Sequence, residues 1–224
     1  MRVLVHAGIC DNRMWDSFEL PGAVRHELRG YGQTPAPPSG ELRHADDLEA
    51  ALDGPAALVG ASFGGLVCLE VAARRPGLVT DLVLLDAPLP DHDWSREILE
   101  YMDEEERLLE AGDLDGATEL NVAFWAPTVA ELVRPMQRRA FELQAALDDE
   151  LEGPEAIALG VVAAHTLVAV GERDYDDFHR IAARLAREIP DAELAVIEGA
   201  GHLPALEQPQ RTAALVEAFL AGQT

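Results

Sequence analysis

The sequence predicts an α/β fold: a mostly parallel sheet of about six strands, flanked by helices and carrying a helical insertion after its fourth strand. Three observations lead there. First, short apolar runs alternate with helical stretches over residues 1–90 and again over 161–224. These runs are apolar on both faces, as strands of a parallel sheet covered on two sides must be. Second, residues 91–160 keep a helical period and contain no convincing strand. Third, an apolar strand runs straight into Gly60-Ala61-Ser62-Phe63-Gly64 and then into a helix. The core is therefore assigned to 1–90 and 161–224, with 91–160 as a helical lid.

The elements follow in chain order. Arg2 to His6 is a strand, and Ala7 to Trp15 a loop leading into a short turn or helix. Gly22 to Leu28 is a second strand, closed by the turn Arg29-Gly30-Tyr31-Gly32-Gln33-Thr34. Pro35, Pro37 and Pro38 mark an extended loop. Glu41 to Leu52 is a helix with Leu42, Ala45 and Leu48 on one face. Pro55 to Val59 is the buried strand before the serine, and Leu66 to Arg75 is the helix after it, stopped by Pro76. Thr80 to Asp86 is the fourth strand.

The insertion then opens with Trp94 to Ala111, an amphipathic helix with Ile98, Tyr101/Met102 and Leu108/Leu109 inward. Ala117, Leu120 and Phe124 mark a second helix. Thr128-x-x-Glu131 is a capping box for a third, which Pro135 should kink or restart and which continues through Met136, Ala140, Leu143 and Leu147. Thr166 to Val170 and Ala192 to Ile197 are the last strands. Helices from about Asp177 to Glu188 and from Pro209 to Ala221 follow them in turn.

Composition narrows the partners. The 224 residues hold 41 acids against 17 basic residues, all of them arginine, for a net charge of −24. Such a chain is repelled by nucleic acid and by anionic membrane surfaces, so neither is expected as a partner. No apolar run reaches the ~20 residues of a membrane span. The Met1-Arg2-Val3-Leu4-Val5 start reads as a core strand rather than a signal peptide. Cys10 and Cys68 make no disulfide framework. These features place the protein in the cytoplasm, with reduced thiols.

A serine between two glycines, where a strand turns into a helix, sits in a strained backbone with its hydroxyl exposed. Such a serine needs a base, an acid to orient the base, and donors for an oxyanion. Candidates lie just after strand ends, where open α/β sheets place their chemistry. For the base, His202 follows the last strand in Glu198-Gly199-Ala200-Gly201-His202. For the acid, Asp174 follows the preceding strand in Gly171-Glu172-Arg173-Asp174, and Asp86 at the end of the fourth strand is its rival. The amide of Phe63 is one oxyanion donor. A second comes from the loop after the first strand, with Gly8 ahead of Ile9. His6 reads as a structural loop histidine.

Together these motifs resemble the α/β-hydrolase family, in its serine-nucleophile branch of esterases, lactonases and thioesterases. His6-Ala7-Gly8 is similar to the family's His-Gly loop, and Glu27-Leu28-Arg29-Gly30-Tyr31-Gly32-Gln33-Thr34 to its Asp-x-Arg-Gly-x-Gly-x-Ser turn. The elbow, Gly171-Glu172-Arg173-Asp174 and Gly201-His202 resemble its three catalytic motifs, in the order Ser, Asp, His. No counterpart of the family's opening strand pair is expected before the first strand, an absence that would expose a sheet edge and invite a homodimer. A serine nucleophile disfavours epoxide opening and halide displacement, which need a carboxylate there.

The resemblance implies a cofactor-independent and metal-independent hydrolase of a small ester, lactone or thioester with an apolar acyl group. A catalytically silent ligand-binding protein of the same fold is the alternative. Ile9, Trp94, Phe124 and Trp125 are the first candidates for the substrate pocket, with Tyr101, Met136 and Phe141 behind them. Ten acids crowd the segment from Glu97 to Glu119 and read as the solvated outer face of the lid.

Overall fold

The structure, a computed structural model, describes residues 1–36, 42–145 and 156–222. Six strands form one sheet: β1 (Arg2–Val5), β2 (Ala23–His26), β3 (Ala56–Ala61), β4 (Val79–Leu85), β5 (His165–Gly171) and β6 (Ala192–Ile197). Their order is β2-β1-β3-β4-β5-β6, and every neighbouring pair is parallel.

The central strand β3 is buried at all six positions. Successive side chains of a strand point to opposite faces, so β3 serves two cores. Leu58 packs with Val3, Val5, Leu82, Leu84 and Val168 on one face. Helices α1 (His44–Ala50), α2 (Phe63–Arg74) and α6 (Asp176–Glu188) cover that face through Leu48, Leu69, Ile181 and Leu185. Val59 packs with Leu4, Val83, Leu85 and Leu167 on the other. Helix α8 (Pro209–Leu220) covers it with Val216 and Phe219, helped by Met14 and Trp15 of a short 3-10 turn. Burial of a whole Leu or Phe side chain contributes about 1.5–3 kcal/mol, so these two layers carry most of the fold's stability.

From β1 the chain first adds β2 on one side and then β3 on the other. That reversal opens a crevice beyond the carboxyl ends of β1 and β3, where an open α/β sheet binds its ligands. The Gly8 loop and the Ser62 turn flank it. Among the described residues, three α-helices lie in the insertion between β4 and β5: α3 (Arg96–Glu110), α4 (Leu114–Trp125) and α5 (Ala130–Gln144).

Several boundaries and contacts differ from the sequence expectation. Helix α1 begins at His44; Pro37, Pro38 and the expected start at Glu41 lie outside the described residues, as does Leu147. Helix α2 begins at Phe63, three residues earlier than expected, because Ser62 itself is its N-cap. In α3 only Ile98 and Tyr101 are buried, while Met102 and Leu109 stay more than a third exposed. That helix faces a cavity instead of packing flat on the core. The capping box does not form: Val129 is the N-cap of α5, and the Thr128 hydroxyl donates to Glu207 at 2.8 Å. Helix α5 also runs through Pro135 without a break, losing one N–H near its start. A short helix, α7 (Pro204–Glu207), follows His202. Both cysteines are buried and free, and no described helix is long and apolar enough to cross a membrane.

Candidate active site

Ser62 has φ 47° and ψ −120°, a left-handed conformation that a non-glycine residue adopts only where its surroundings over-determine it. Two neighbours do so. A Cβ on Gly60 would overlap the Gly64 carbonyl, and a Cβ on Gly64 would overlap the carbonyl oxygens of Val5 and His6. The Ser62 N–H donates to Leu85 O at 2.7 Å, and its carbonyl accepts from Gly65 and Leu66. The strand, turn and helix thus pack so closely that only glycine fits on either side of the serine. Unlike most serines at an N-cap, Ser62 does not spend its hydroxyl on the helix.

That hydroxyl faces His202. Ser62 Oγ lies 2.9 Å from His202 Nε2, and His202 Nδ1 lies 2.9 Å from Asp174 Oδ2. Asp174 accepts only, so Nδ1 carries the proton and Nε2 accepts from the serine. The His202 and Asp174 side chains are 5% and 0% exposed, so water does not compete for the bond between them. The imidazole is held between two rings: Trp125 at 4.5 Å between centroids and Phe178 at 4.4 Å.

Asp174 and Asp86 are both buried, and the two meet. Asp86 Oδ1 accepts from Gly171 N–H at 2.8 Å, and Asp174 Oδ1 accepts from Tyr175 N–H at 2.8 Å. One atom each of Asp86, Asp174 and His202 lie within 4.8 Å of one another. Burial and the charge of Asp174 hold the Asp86 carboxyl well above its ordinary value. Burial pushes Asp174 up as well, but His202 and the hydrogen bonds it accepts hold it below its ordinary value. Of the two carboxyls, Asp86 is therefore the one that holds its proton to higher pH. Asp86 Oδ2 is buried without a hydrogen-bond partner, which disfavours its charged form further. Among the described residues this trio is the one group with metal-ligand spacing. Both His202 nitrogens are already engaged, with Ser62 and with Asp174, which fits a hydrogen-bond chain better than a cation site.

The loop after β1 completes the crevice. His6 is fully buried: its Nδ1–H donates to Ala7 O at 2.9 Å, and its Nε2 accepts from Leu28 N–H at 3.1 Å. Burial lowers its pKa to about 4, so it stays neutral and acts as a brace between this loop and the turn after β2. Glu27 holds that turn by accepting from Asn12 N–H at 3.1 Å and Gln33 N–H at 2.9 Å. Gly8 sits against Phe63, where an added Cβ would come within 3.2 Å of the Phe63 Cβ. Phe63 opens α2, so its N–H has no intrahelical acceptor.

A cavity of about 420 Å³ opens over Ser62 and His202. Gly8, Ile9, Phe63, Trp94 and Trp125, all named from sequence, line it. Phe124 does not. It stacks between Tyr101 at 4.4 Å and Tyr175 at 4.6 Å, and faces a smaller cleft behind Asp174 and His202. Consecutive helical residues point in different directions, so Phe124 and Trp125 could not both face Ser62. Met136 lies in the core with Val122 and Val133, whereas Tyr101 and Phe141 do line the cavity.

Sequence reading missed Phe178, Asn121, Gln137 and Gln144, and it placed Glu105 on the solvated face. The period of α3 did hold a signal for Glu105, which stands four residues after Tyr101 and seven after Ile98, on the inward stripe. Nothing local in the sequence marks the other four.

Comparison with known proteins follows the same outline. The sequence profile described as the alpha/beta hydrolase family matches residues 3–215. A pimeloyl-[acyl-carrier protein] methyl ester esterase of Neisseria meningitidis serogroup B is 28% identical over 248 aligned positions, covering 98% of this chain and 92% of that protein. The structure of a thermophilic esterase from Thermogutta terrifontis superposes with a TM-score of 0.78 at 25% identity, covering 99% of this chain and 89% of the other. The enol-lactonase of Burkholderia xenovorans superposes with a TM-score of 0.77 at 20% identity, over 98% of this chain and 90% of its own, a likeness of fold.

Proposed function

This chain belongs to the alpha/beta hydrolase family, and from that premise we propose that it is a cofactor-independent serine hydrolase of small carboxylic esters or related acyl compounds such as lactones and thioesters. One observation carries the reading: the unbroken line Ser62 Oγ, His202 Nε2, His202 Nδ1, Asp174 Oδ2, with 2.9 Å at each hydrogen bond. The esterase relatives support the reaction class.

In this mechanism His202 Nε2 takes the Ser62 proton as Oγ attacks the carbonyl carbon. Asp174 holds the ring in the required tautomer and stabilises the imidazolium that forms. The N–H groups of Phe63 and Gly8 receive the oxyanion, and each such donor is typically worth about 2.7–4 kcal/mol of barrier. His202 then protonates the leaving oxygen or sulfur, and the acyl group stays on Ser62. A water activated by His202 releases the acid and restores the serine. Helices α3, α4 and α5 form the lid over this site. Their acid-rich outer surface and the net charge of −24 favour a free small molecule over an anionic macromolecule.

The test is covalent. A fluorophosphonate probe should label the folded wild-type protein at one site and leave Ser62→Ala unlabelled. A folded wild type that takes up no label would remove the hydrolase reading and leave a ligand-binding role.

A further inference from the structure

We propose that one wall of the cavity, away from Ser62, recognises a hydrogen-bond donor, so that the acyl chain this protein accepts carries a hydroxyl or an ammonium group remote from its ester. The proposal rests on the hydrolase reading of Ser62 given above. Around Ser62 and His202 the cavity is walled by Trp94, Trp125, Phe178 and Ile98. Further along it changes character. Tyr101 packs edge-on against Trp125 at 5.2 Å, and its hydroxyl reaches a group of polar side chains on α3 and α4. Ile98 to Glu105 runs along α3 for roughly 10 Å, which sets the span from the apolar end to the polar one.

Around Glu105 at that polar end, acceptors outnumber the hydrogens of Asn121 and Tyr101. Asn121 is 1% exposed, and its two amide hydrogens go to Glu105 Oε1 at 2.5 Å and to Ala117 O at 3.0 Å. Tyr101 has one hydroxyl hydrogen, which lies between Glu105 Oε1 at 2.9 Å and Asn121 Oδ1 at 2.8 Å and can serve only one of them. On α5, Gln137 shares a cavity-lining stripe with Phe141 and Gln144. It is 3% exposed, and its amide oxygen is buried with no partner. Within this group the two Glu105 oxygens and the Asn121 oxygen meet two hydrogens, the other Asn121 hydrogen going to Ala117 O, while Gln137 brings two amide hydrogens beside its unpartnered oxygen.

A purely structural network would close on itself, because a buried acceptor without a donor is costly. Here the unmet acceptors belong to residues that line the cavity. A hydroxyl or ammonium group supplies the missing hydrogens. A carboxylate brings only further acceptors beside Glu105 and should be rejected. Of the ten acids between Glu97 and Glu119, Glu105 is the one that lines this cavity.

The test uses p-nitrophenyl esters of one medium-length acyl chain ending in methyl, hydroxyl, ammonium or carboxylate. On the wild type, kcat/KM for the hydroxyl and ammonium esters should exceed the methyl ester by about tenfold, with the carboxylate ester below it. The hydroxyl-to-methyl comparison is free of bulk electrostatic attraction, since both are uncharged. Within Gln137→Leu and within Glu105→Gln that ratio should fall toward one, and Glu105→Gln should also lose the ammonium preference. Ratios within one variant cancel any general damage to it.

Calorimetry on Ser62→Ala with the corresponding unhydrolysed amides reads the same preference without turnover. If no ester is cleaved in a Ser62-dependent way, the hydrolase reading fails and the amide series alone decides the recognition site. If ester cleavage depends on Ser62 but the methyl compound equals or beats the hydroxyl one in both series, the recognition proposal is overturned and the hydrolase reading stands.

Discussion

The carboxyl edge of the sheet and the three helices above it meet in one cavity, but they treat polar groups in opposite ways. At the sheet edge the hydrogen bonds form a closed line. Ser62 gives to His202, His202 gives to Asp174, and Asp174 also receives from Tyr175. Its members sit on short loops anchored to strands, and the rings of Trp125 and Phe178 hold the imidazole. In the helices the inner face is mixed, and Gln137 leaves a buried oxygen without a partner. Proton transfer needs atoms already in place, so its groups must be satisfied by one another. Recognition needs groups that are not yet satisfied, so that a ligand can do it.

This contrast can be broken or sharpened by experiment, beginning with the largest effect. Ser62→Ala should lower ester turnover at least about ten-thousandfold, while circular dichroism and Tm stay near those of the parent. Retained turnover would show that the closed line is only structural. Asp174→Asn should follow, with a loss of kcat of about a thousandfold to ten-thousandfold, because an amide can turn its N–H toward His202 and reverse the tautomer. Steady-state kinetics on a short p-nitrophenyl ester checks both. If Asp86→Asn proves the more damaging of the two aspartate variants, the roles given to the pair are reversed.

Gly64→Ala probes the rigidity of the edge itself. Its new methyl would press on the Val5 and His6 carbonyls, and backbone cannot step aside as a side chain can. Denaturant unfolding should show a loss of about 2–4 kcal/mol.

The smallest expected effect is that of Asp86→Asn. In the folded protein burial and Asp174 raise the Asp86 carboxyl, so it holds its proton to higher pH than the unfolded chain, which gives it up above about pH 4. Its contribution to stability is therefore full below that pH and declines as pH rises. Asp174 has the opposite sign: its folded value is depressed, so its contribution is present above about pH 4 and is lost as pH falls further. The Asp86→Asn variant has no proton to lose, and its amide can still donate to Asp174 while its oxygen accepts from Gly171. Its stability relative to the parent should rise with pH from about 4 upward, with turnover changed less than about threefold. Stability that stays level with pH would mean that Asp86 is ionised.

Much of the architecture was legible in the sequence because it rests on local rules. Apolar runs on both faces, helical periods between them and glycines flanking Ser62 each reflect constraints within a few residues. The alternation therefore yielded six parallel strands and the position of the insertion. Local rules also misled. Thr128 and Glu131 have the spacing of a capping box, but Glu207 from another part of the chain takes the Thr128 hydroxyl. Phe124 and Trp125 are equally aromatic, and only the packing of α4 on Tyr175 turns one of them away from Ser62.

The sequence by itself determined the elbow, the sheet and a short set of polar candidates at strand ends. It favoured Asp174 and kept Asp86 as a rival, since both follow strands and both are acids. The tertiary structure decided which of them faces the His202 Nδ1 and which is buried behind it, accepting from Gly171 N–H. It also decided that Phe178 touches the imidazole, that Glu105 turns inward, and that Gln137 keeps an oxygen free. Each of these outcomes depends on the meeting of elements distant in the chain, and burial, which sets both charge state and hydrogen-bond demand, exists only after they meet.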